Sequence, residues 1–189
     1  MSNTDHRHLL VLDLDETLIH ATERPLAHEP DFELMSYFVY RRPHLEAFLQ
    51  FAFTHFEVGV WTSSGEVYAA HIVKTIFGTH TPAFVWASRR CSLRRDFNLD
   101  QYVATKRLAK LKPLGYRLEQ IIAIDDSPEK HAQNYGNLVR VAEFNGERDD
   151  NELALLQHWL PGLLSVPNVR KLEKRFWRVL SPERRRFLL

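Results

Sequence analysis

A single cysteine, no apolar run approaching the ~18 residues that a bilayer-spanning helix requires, and a net charge of only +1 mark this 189-residue chain. One cysteine, Cys91, excludes an internal disulfide, and with no Cys-x-x-Cys pattern around it structural zinc has no ligands; a buried or hairpin thiol in a reducing compartment is expected. The N-terminus, with Asp5, His6, Arg7 and His8 ahead of the first apolar run, lacks the apolar core of a signal peptide, so the expected setting is cytoplasmic, without a membrane span. The near-neutral balance gives no global drive toward nucleic acid or membrane. Ten histidines form no cluster, and the length leaves no room for a second catalytic domain.

What is present is acid at the ends of apolar strands. Residues 9–12 are Leu-Leu-Val-Leu, a run too short for a helix and apolar enough for a strand buried on both faces, and Asp13 and Asp15 follow it at once. Ligands of open α/β sheets bind outside the carboxyl ends of strands. Two carboxylates so close must share a cation or a proton. Asp-x-Asp alone is also a common turn, but a second apolar run, 121–124, ends the same way in Asp125-Asp126-Ser127-Pro128. A third, 56–61, gives way to Thr62-Ser63-Ser64-Gly65 before helical spacing from Glu66 to Phe77; hydroxyls and backbone N–H groups at a helix start suit a phosphate. Lys106 opens a further amphipathic stretch; on its own it reads as a solvated lysine.

In this order, Asp-x-Asp, Thr/Ser, Lys and Asp-Asp resemble the haloacid dehalogenase superfamily of phosphoryl-transfer enzymes. Asp13-Leu14-Asp15-Glu16-Thr17-Leu18, Arg42-Pro43-His44-Leu45, Trp61-Thr62-Ser63 and Asp125-Asp126-Ser127-Pro128 narrow the resemblance to the NLI-interacting-factor-like branch, typified by phosphatases of the RNA polymerase II C-terminal domain. The resemblance spans residues 8–160 or so. It implies that Asp13 is a nucleophile forming an aspartyl-phosphate and that Asp15 is the general acid and then the base. Thr62, Ser63 and Lys106 would hold phosphate oxygens, with Glu16 and Thr17 beside them and Thr17 orienting the nucleophile. Because phosphate and carboxylates are all anionic, a hard divalent cation is required, and Mg²⁺ is expected on Asp13, the main-chain carbonyl of Asp15, and Asp125 or Asp126.

The expected fold is α/β, a doubly wound, Rossmann-like parallel sheet with helices on both faces, a small β-hairpin flap over 32–40, a small insert over 87–99 and no large cap. A crossover helix is expected near 103–112. Arg89, Arg90, Arg94 and Arg95 in the insert are either a solvated surface or a substrate platform, arginine forks being suited to phosphate. Residues 1–165 form the phosphatase-like domain, and 166–189 read as a basic amphipathic helix that docks on it or meets a partner, a membrane surface or nucleic acid. An open site points to phosphorylated protein or peptide substrates, phosphoserine, phosphothreonine or phosphotyrosine. Small metabolites and nucleic-acid 3′-phosphates are the alternative within the same chemistry, and a non-catalytic binding module the alternative outside it.

Overall fold

The computed structural model describes residues 7–96 and 101–179. Its centre is a five-stranded parallel sheet in the order β10-β9-β1-β5-β6, formed by β1 (Leu9–Leu12), β5 (Glu57–Trp61), β6 (Val85–Trp86), β9 (Ile121–Asp125) and β10 (Leu138–Arg140). β1 lies in the middle, with Leu12 opposite both Val60 of β5 and Ile124 of β9. Its four residues are all buried because successive side chains serve opposite faces. Leu10 and Leu12 enter one apolar cluster, Leu9 and Val11 another.

The first cluster is covered by three α-helices, α1 (Leu45–His55), α2 (Glu66–Ile76) and α3 (Glu152–Trp159), which contribute Phe48, Ile72 and Leu156 among others. The second is covered by Trp61, Trp86 and the 3₁₀ segment Leu108–Leu114, through Leu108 and Leu111. The doubly wound sheet is therefore present, with α-helix on one face and 3₁₀ turns on the other. Pro113 lies inside that segment and lacks the N–H that a continuing α-helix would need, and Gly115 ends it at φ +93°.

The crossover helix expected from residue 103 starts later, because Gln101–Thr105 is strand β8, paired antiparallel with β7 (Ser92–Asp96). Tyr102, Val103 and Thr105 are strand-favouring residues, and pairing across the hairpin outweighs the helical spacing of the residues beyond Thr105. The insert is thus a hairpin; residues 97–99 of the expected segment lie outside the described residues. The flap has a third strand beyond the expected hairpin: β2 (Ile19–Thr22), β3 (Phe32–Leu34) and β4 (Tyr37–Arg41) form an antiparallel sheet in the order β2-β4-β3. Among the described residues neither flap nor insert is a cap domain, and no helix is long and apolar enough to cross a membrane.

The expected helix over 166–189 takes another form where it is described. Val169–Lys171 is one 3₁₀ turn, followed by irregular turns to residue 179, and 180–189 lie outside the described residues. Apolar side chains dock one at a time. Val169 and Trp177 are buried, Trp177 Nε1 donates to the Arg140 carbonyl of edge strand β10 at 2.7 Å, and its ring lies 5.7 Å from that of Trp159. Lys174 turns inward, its ammonium donating to the carbonyls of Val169 (2.6 Å) and Leu172 (2.9 Å). Those carbonyls would be taken by backbone N–H groups in a helix. The segment works as a strap along an edge that would otherwise be open.

Candidate active site

Because β5 and β9 flank β1 in register, the residues just past these three strands converge. Asp13, whose N–H donates to the Ile124 carbonyl at 3.0 Å, meets Asp125 and Asp126 from the end of β9, and one carboxylate oxygen from each of the three lies within 4.8 Å of the others. Lys106 enters from the end of the hairpin insert. Its backbone N–H donates to the Lys130 carbonyl at 2.8 Å and its own carbonyl accepts from Asn134, so it is clipped to the loop after β9. The ammonium stands 2.7 Å from Asp13 Oδ2 and 2.6 Å from Asp125 Oδ2, with all three side chains 1% exposed. The solvated lysine of a surface helix is excluded.

Burial first, then the neighbouring Asp125 charge, push Asp13 up to about 7 in the absence of a cation, against the pull of Lys106. Burial would raise Asp125 too, but the Lys106 ammonium, His131 and Lys130 outweigh it and hold that carboxyl well below its usual range. Burial likewise opposes the charge on Lys106, and Asp13 and Asp125 more than restore it. Asp125 has the more cationic surroundings, with Lys106 at 2.6 Å and His131 at 2.9 Å, while Asp13 shares Lys106 at 2.7 Å and has Lys130 farther off at 3.6 Å.

Whether a hard cation fits can be read from the oxygens. Asp125 Oδ1 accepts from Ser127 N–H at 2.9 Å, and Asp126 accepts from the Thr17 hydroxyl at 3.0 Å and the Ser127 hydroxyl at 2.8 Å. Asp13 Oδ1 accepts from Leu14 N–H at 2.8 Å, and Oδ2, buried, faces the Lys106 ammonium at 2.7 Å. Three carboxylates with one oxygen from each within 4.8 Å of the others, a donor set of oxygen alone, fit Mg²⁺ or a similar hard cation. Asp15 contributes no side-chain oxygen to this trio.

The Asp15 carboxylate turns instead to the β5–α2 loop, accepting from Ser64 Oγ (2.6 Å), Tyr68 Oη (2.6 Å) and, more weakly, Thr62 Oγ1 (3.4 Å). Thr62 is buried, and its hydroxyl also accepts from Ser64 N–H at 3.0 Å; Ser63, half-buried, lies in the turn between them. Thr17 bonds to Asp126 rather than to Asp13, so it braces the second acid, not the first. Glu16 stands apart: in the left-handed region at φ 60°, it pairs with His20 Nδ1 at 2.7 Å, and burial raises its carboxyl. The tight turn explains this, since Glu16 N–H and the Ile19 carbonyl close it at 2.8 Å and send the side chain away from the cluster. The arginines also stay outside. Arg89 is exposed against Glu66, and Arg90 lies 5.0 Å over the Trp86 ring.

Four side chains not expected from the sequence join the site. Lys130 Nζ lies 3.6 Å from Asp13 Oδ2, and His131 Nε2 lies 2.9 Å from Asp125 Oδ2. Ser64 and Tyr68 hold Asp15, as above. Pro128 was the available signal for the first two: it begins a 3₁₀ turn, Pro128–His131, that curls the chain back over the acids it has just left. For Tyr68 the signal was a hydroxyl-tipped ring in the first turn of a helix that starts at the site.

Arg42 supports the whole loop from behind. Fully buried, it forks onto Asp150 (2.8 and 2.7 Å) and donates to the Thr17 carbonyl at 3.0 Å, with Phe144 beneath its guanidinium at 5.2 Å.

Comparison with known proteins agrees with this geometry. The family model of NLI interacting factor-like phosphatases matches residues 8–170. Among curated relatives, CTD small phosphatase-like protein 2 of Dictyostelium discoideum is 33% identical over 85% of this chain and 28% of its own length. CTD nuclear envelope phosphatase 1 of Xenopus tropicalis is 28% identical over 89% of this chain and 72% of its own. The chain spans 28%, 52% and 42% of the first three curated relatives it matches. In fold it is similar to the solved structure of Fcp1, an essential RNA polymerase II CTD phosphatase, with TM-score 0.56 and 22% identity over 74% of this chain and 43% of that one.

Proposed function

The chain belongs to the NLI interacting factor-like phosphatase family, and from that premise we propose that it hydrolyses phosphomonoesters on proteins through a covalent intermediate on Asp13. A carboxylate oxygen of Asp13 attacks phosphorus as the bond to the ester oxygen breaks, and Asp15 gives its proton to that leaving oxygen. Asp15, now a base, takes a proton from water, whose oxygen attacks the aspartyl-phosphate and frees Asp13 and inorganic phosphate. Ser64 and Tyr68 hold the Asp15 carboxyl in place, one on each of its oxygens. Thr62 and Ser63 supply donors to the phosphate oxygens, and Lys106 and Lys130 offset the charge that spreads over them. Asp13, Asp125 and Asp126 would hold Mg²⁺ together with the main-chain carbonyl of Asp15; when bound, the cation supplies the positive charge that keeps Asp13 ionised and lets an anionic phosphate approach.

The observation that carries this reading is the meeting of Asp13, Asp125 and Asp126 at the ends of the adjacent strands β1 and β9 with the buried Lys106 ammonium from the end of the hairpin insert. The test is turnover of p-nitrophenyl phosphate with Mg²⁺ and with EDTA. Metal-dependent turnover that Asp13→Asn lowers by more than about 10³-fold is expected; turnover by that variant at the wild-type rate removes Asp13 from the mechanism. The protein substrate is favoured by the small flap and insert, neither of which is a cap domain among the described residues, and by the phosphatase names of the relatives. Phosphopeptides are expected to be turned over in preference to nucleotides and sugar phosphates in side-by-side assays. A cytoplasmic setting is part of the proposal, and fractionation of cells producing the full-length protein checks it.

A further inference from the structure

A cavity of about 760 Å³ lies outside the catalytic cluster, between the edge strand β10 and the strap at 170–178. Its walls are basic. Arg140, Arg170, Lys171, Arg175 and Arg178 line it, and Glu173 is the one acid among its lining residues. Glu173 is already engaged by Arg175 at 2.6 Å, and Arg178 is engaged by Glu152 beneath the strap. Arg140, Arg170 and Lys171 are exposed, and among the described residues none of them is paired with a carboxylate. Three like charges side by side repel one another, and an anion between them relieves that repulsion.

The groove borders the loop that carries two of the site's acids. Pro128, one of its lining residues, follows Asp125-Asp126-Ser127, and Arg140 Nε donates to the Asp126 carbonyl at 3.3 Å. Leu138, Val141 and Leu172 give it an apolar floor, so an extended chain can lie on carbon while its acidic side chains meet the rim.

We propose that this groove docks an acidic segment of the phosphoprotein substrate, a run of Asp, Glu or further phosphorylated residues flanking the phosphorylated residue that reaches Asp13. The inference rests on the phosphatase reading above and adds to it a preference for anionic sequence context. Charges at a rim act on encounter and on salt dependence more than on chemistry. The groove therefore changes KM and leaves the turnover of a small aryl phosphate alone.

The experiment compares two phosphoserine peptides with a common core, one flanked by four glutamates and the other by four glutamines, on the full chain and on the Arg170→Glu/Lys171→Glu variant, with p-nitrophenyl phosphate alongside. In wild type the acidic peptide is expected to have a kcat/KM about tenfold higher at low salt, mostly through KM, and the advantage is expected to shrink as salt rises. The double variant is expected to lose that advantage while its p-nitrophenyl phosphate turnover stays unchanged, and Arg170→Gln/Lys171→Gln to fall between. Equal kcat/KM for the two peptides in wild type, or an advantage that survives in the double variant, overturns the proposal. Fluorescence anisotropy of a labelled, unphosphorylated Glu-rich peptide is measured in parallel, so that a chain with no turnover at all still decides the question: binding that the double variant abolishes supports the groove while the catalytic reading fails. Binding of phosphatidylserine vesicles or single-stranded DNA more tightly than of the acidic peptide overturns the choice of occupant.

Discussion

Lys106 and Arg89 are both cations facing a carboxylate, and little else about them is alike. The Lys106 ammonium is 1% exposed between Asp13 and Asp125 at 2.7 and 2.6 Å, whereas the Arg89 side chain is 88% exposed with Glu66 at 3.7 Å. The first pair of contacts is made at the ends of three packed strands, where water is excluded and each charge must be answered by a partner. The second is made on the insert, where water answers as well as a carboxylate does. Charge type and sequence spacing do not separate these two residues. Burial does, and burial is assigned by the fold.

The comparison breaks most clearly at Lys106. Lys106→Met is expected to lower kcat by about 10²–10³-fold on p-nitrophenyl phosphate and to leave Asp13 and Asp125 facing each other without their shared cation, so that stability falls too. Steady-state kinetics with a thermal melt on the same sample reads both; near-wild-type kcat in a folded variant would remove Lys106 from the chemistry.

A second buried pair tests whether the rule holds away from the reacting atoms. Asp150→Ala strands the Arg42 guanidinium, and a loss of on the order of 3 kcal/mol in denaturant unfolding is expected. Arg42 and the Glu152 N–H hold the Asp150 carboxyl below its ordinary value against the opposing effect of burial. Since the folded value is the lower one, the pair contributes fully above the unfolded pKa of about 4, and the contribution fades as pH falls through the folded value. Unfolding free energy of wild type should therefore drop relative to Asp150→Asn as the pH is taken from 5 toward 3, and parallel curves would show that the pair carries no such linkage.

Between the extremes stands Lys130, partly exposed and 3.6 Å from Asp13. Lys130→Met is expected to cost about tenfold in kcat/KM with little change in stability, a smaller effect than at Lys106 because solvent shares the answering of its charge. The smallest effect belongs to Arg89→Ala, for which catalysis of p-nitrophenyl phosphate and thermal stability should both stay within error of wild type; a tenfold loss there would return the insert arginines to the substrate platform.

Much of the architecture was legible because it depends on local pattern. Four consecutive aliphatic residues before Asp13, and four before Asp125, dictate buried strands that end in acid, and the spacing from Glu66 to Ile76 dictates α2. Helices were harder wherever pairing or capping competed. Residues 101–105 joined a hairpin, and 169–179 became a strap because Val169 and Trp177 are buried against the domain while the Lys174 ammonium takes carbonyls of the strap that a helix would have used for its own N–H groups. The site divides in the same way. Asp13, Asp15, Thr62 and Asp125-Asp126 announce themselves at strand ends. Lys130 and His131 belong to a short 3₁₀ turn whose direction back over the acids has no period to read, and Tyr68 reaches Asp15 across 53 residues of chain.

Composition and pattern by themselves determined that this chain is an α/β protein, with one thiol and no apolar run of about 18 residues, whose acids gather where parallel strands stop. Only the tertiary structure decided which charges are in contact: that Lys106 lies between Asp13 and Asp125, that Thr17 serves Asp126, that Glu16 turns to His20, and that the strap leaves a basic groove beside β10. The reason is range. Backbone preference and hydrophobic period act over a few residues and are written in the order of the chain, whereas the exclusion of water that gives a charge its energy depends on segments a hundred residues apart closing over the same point.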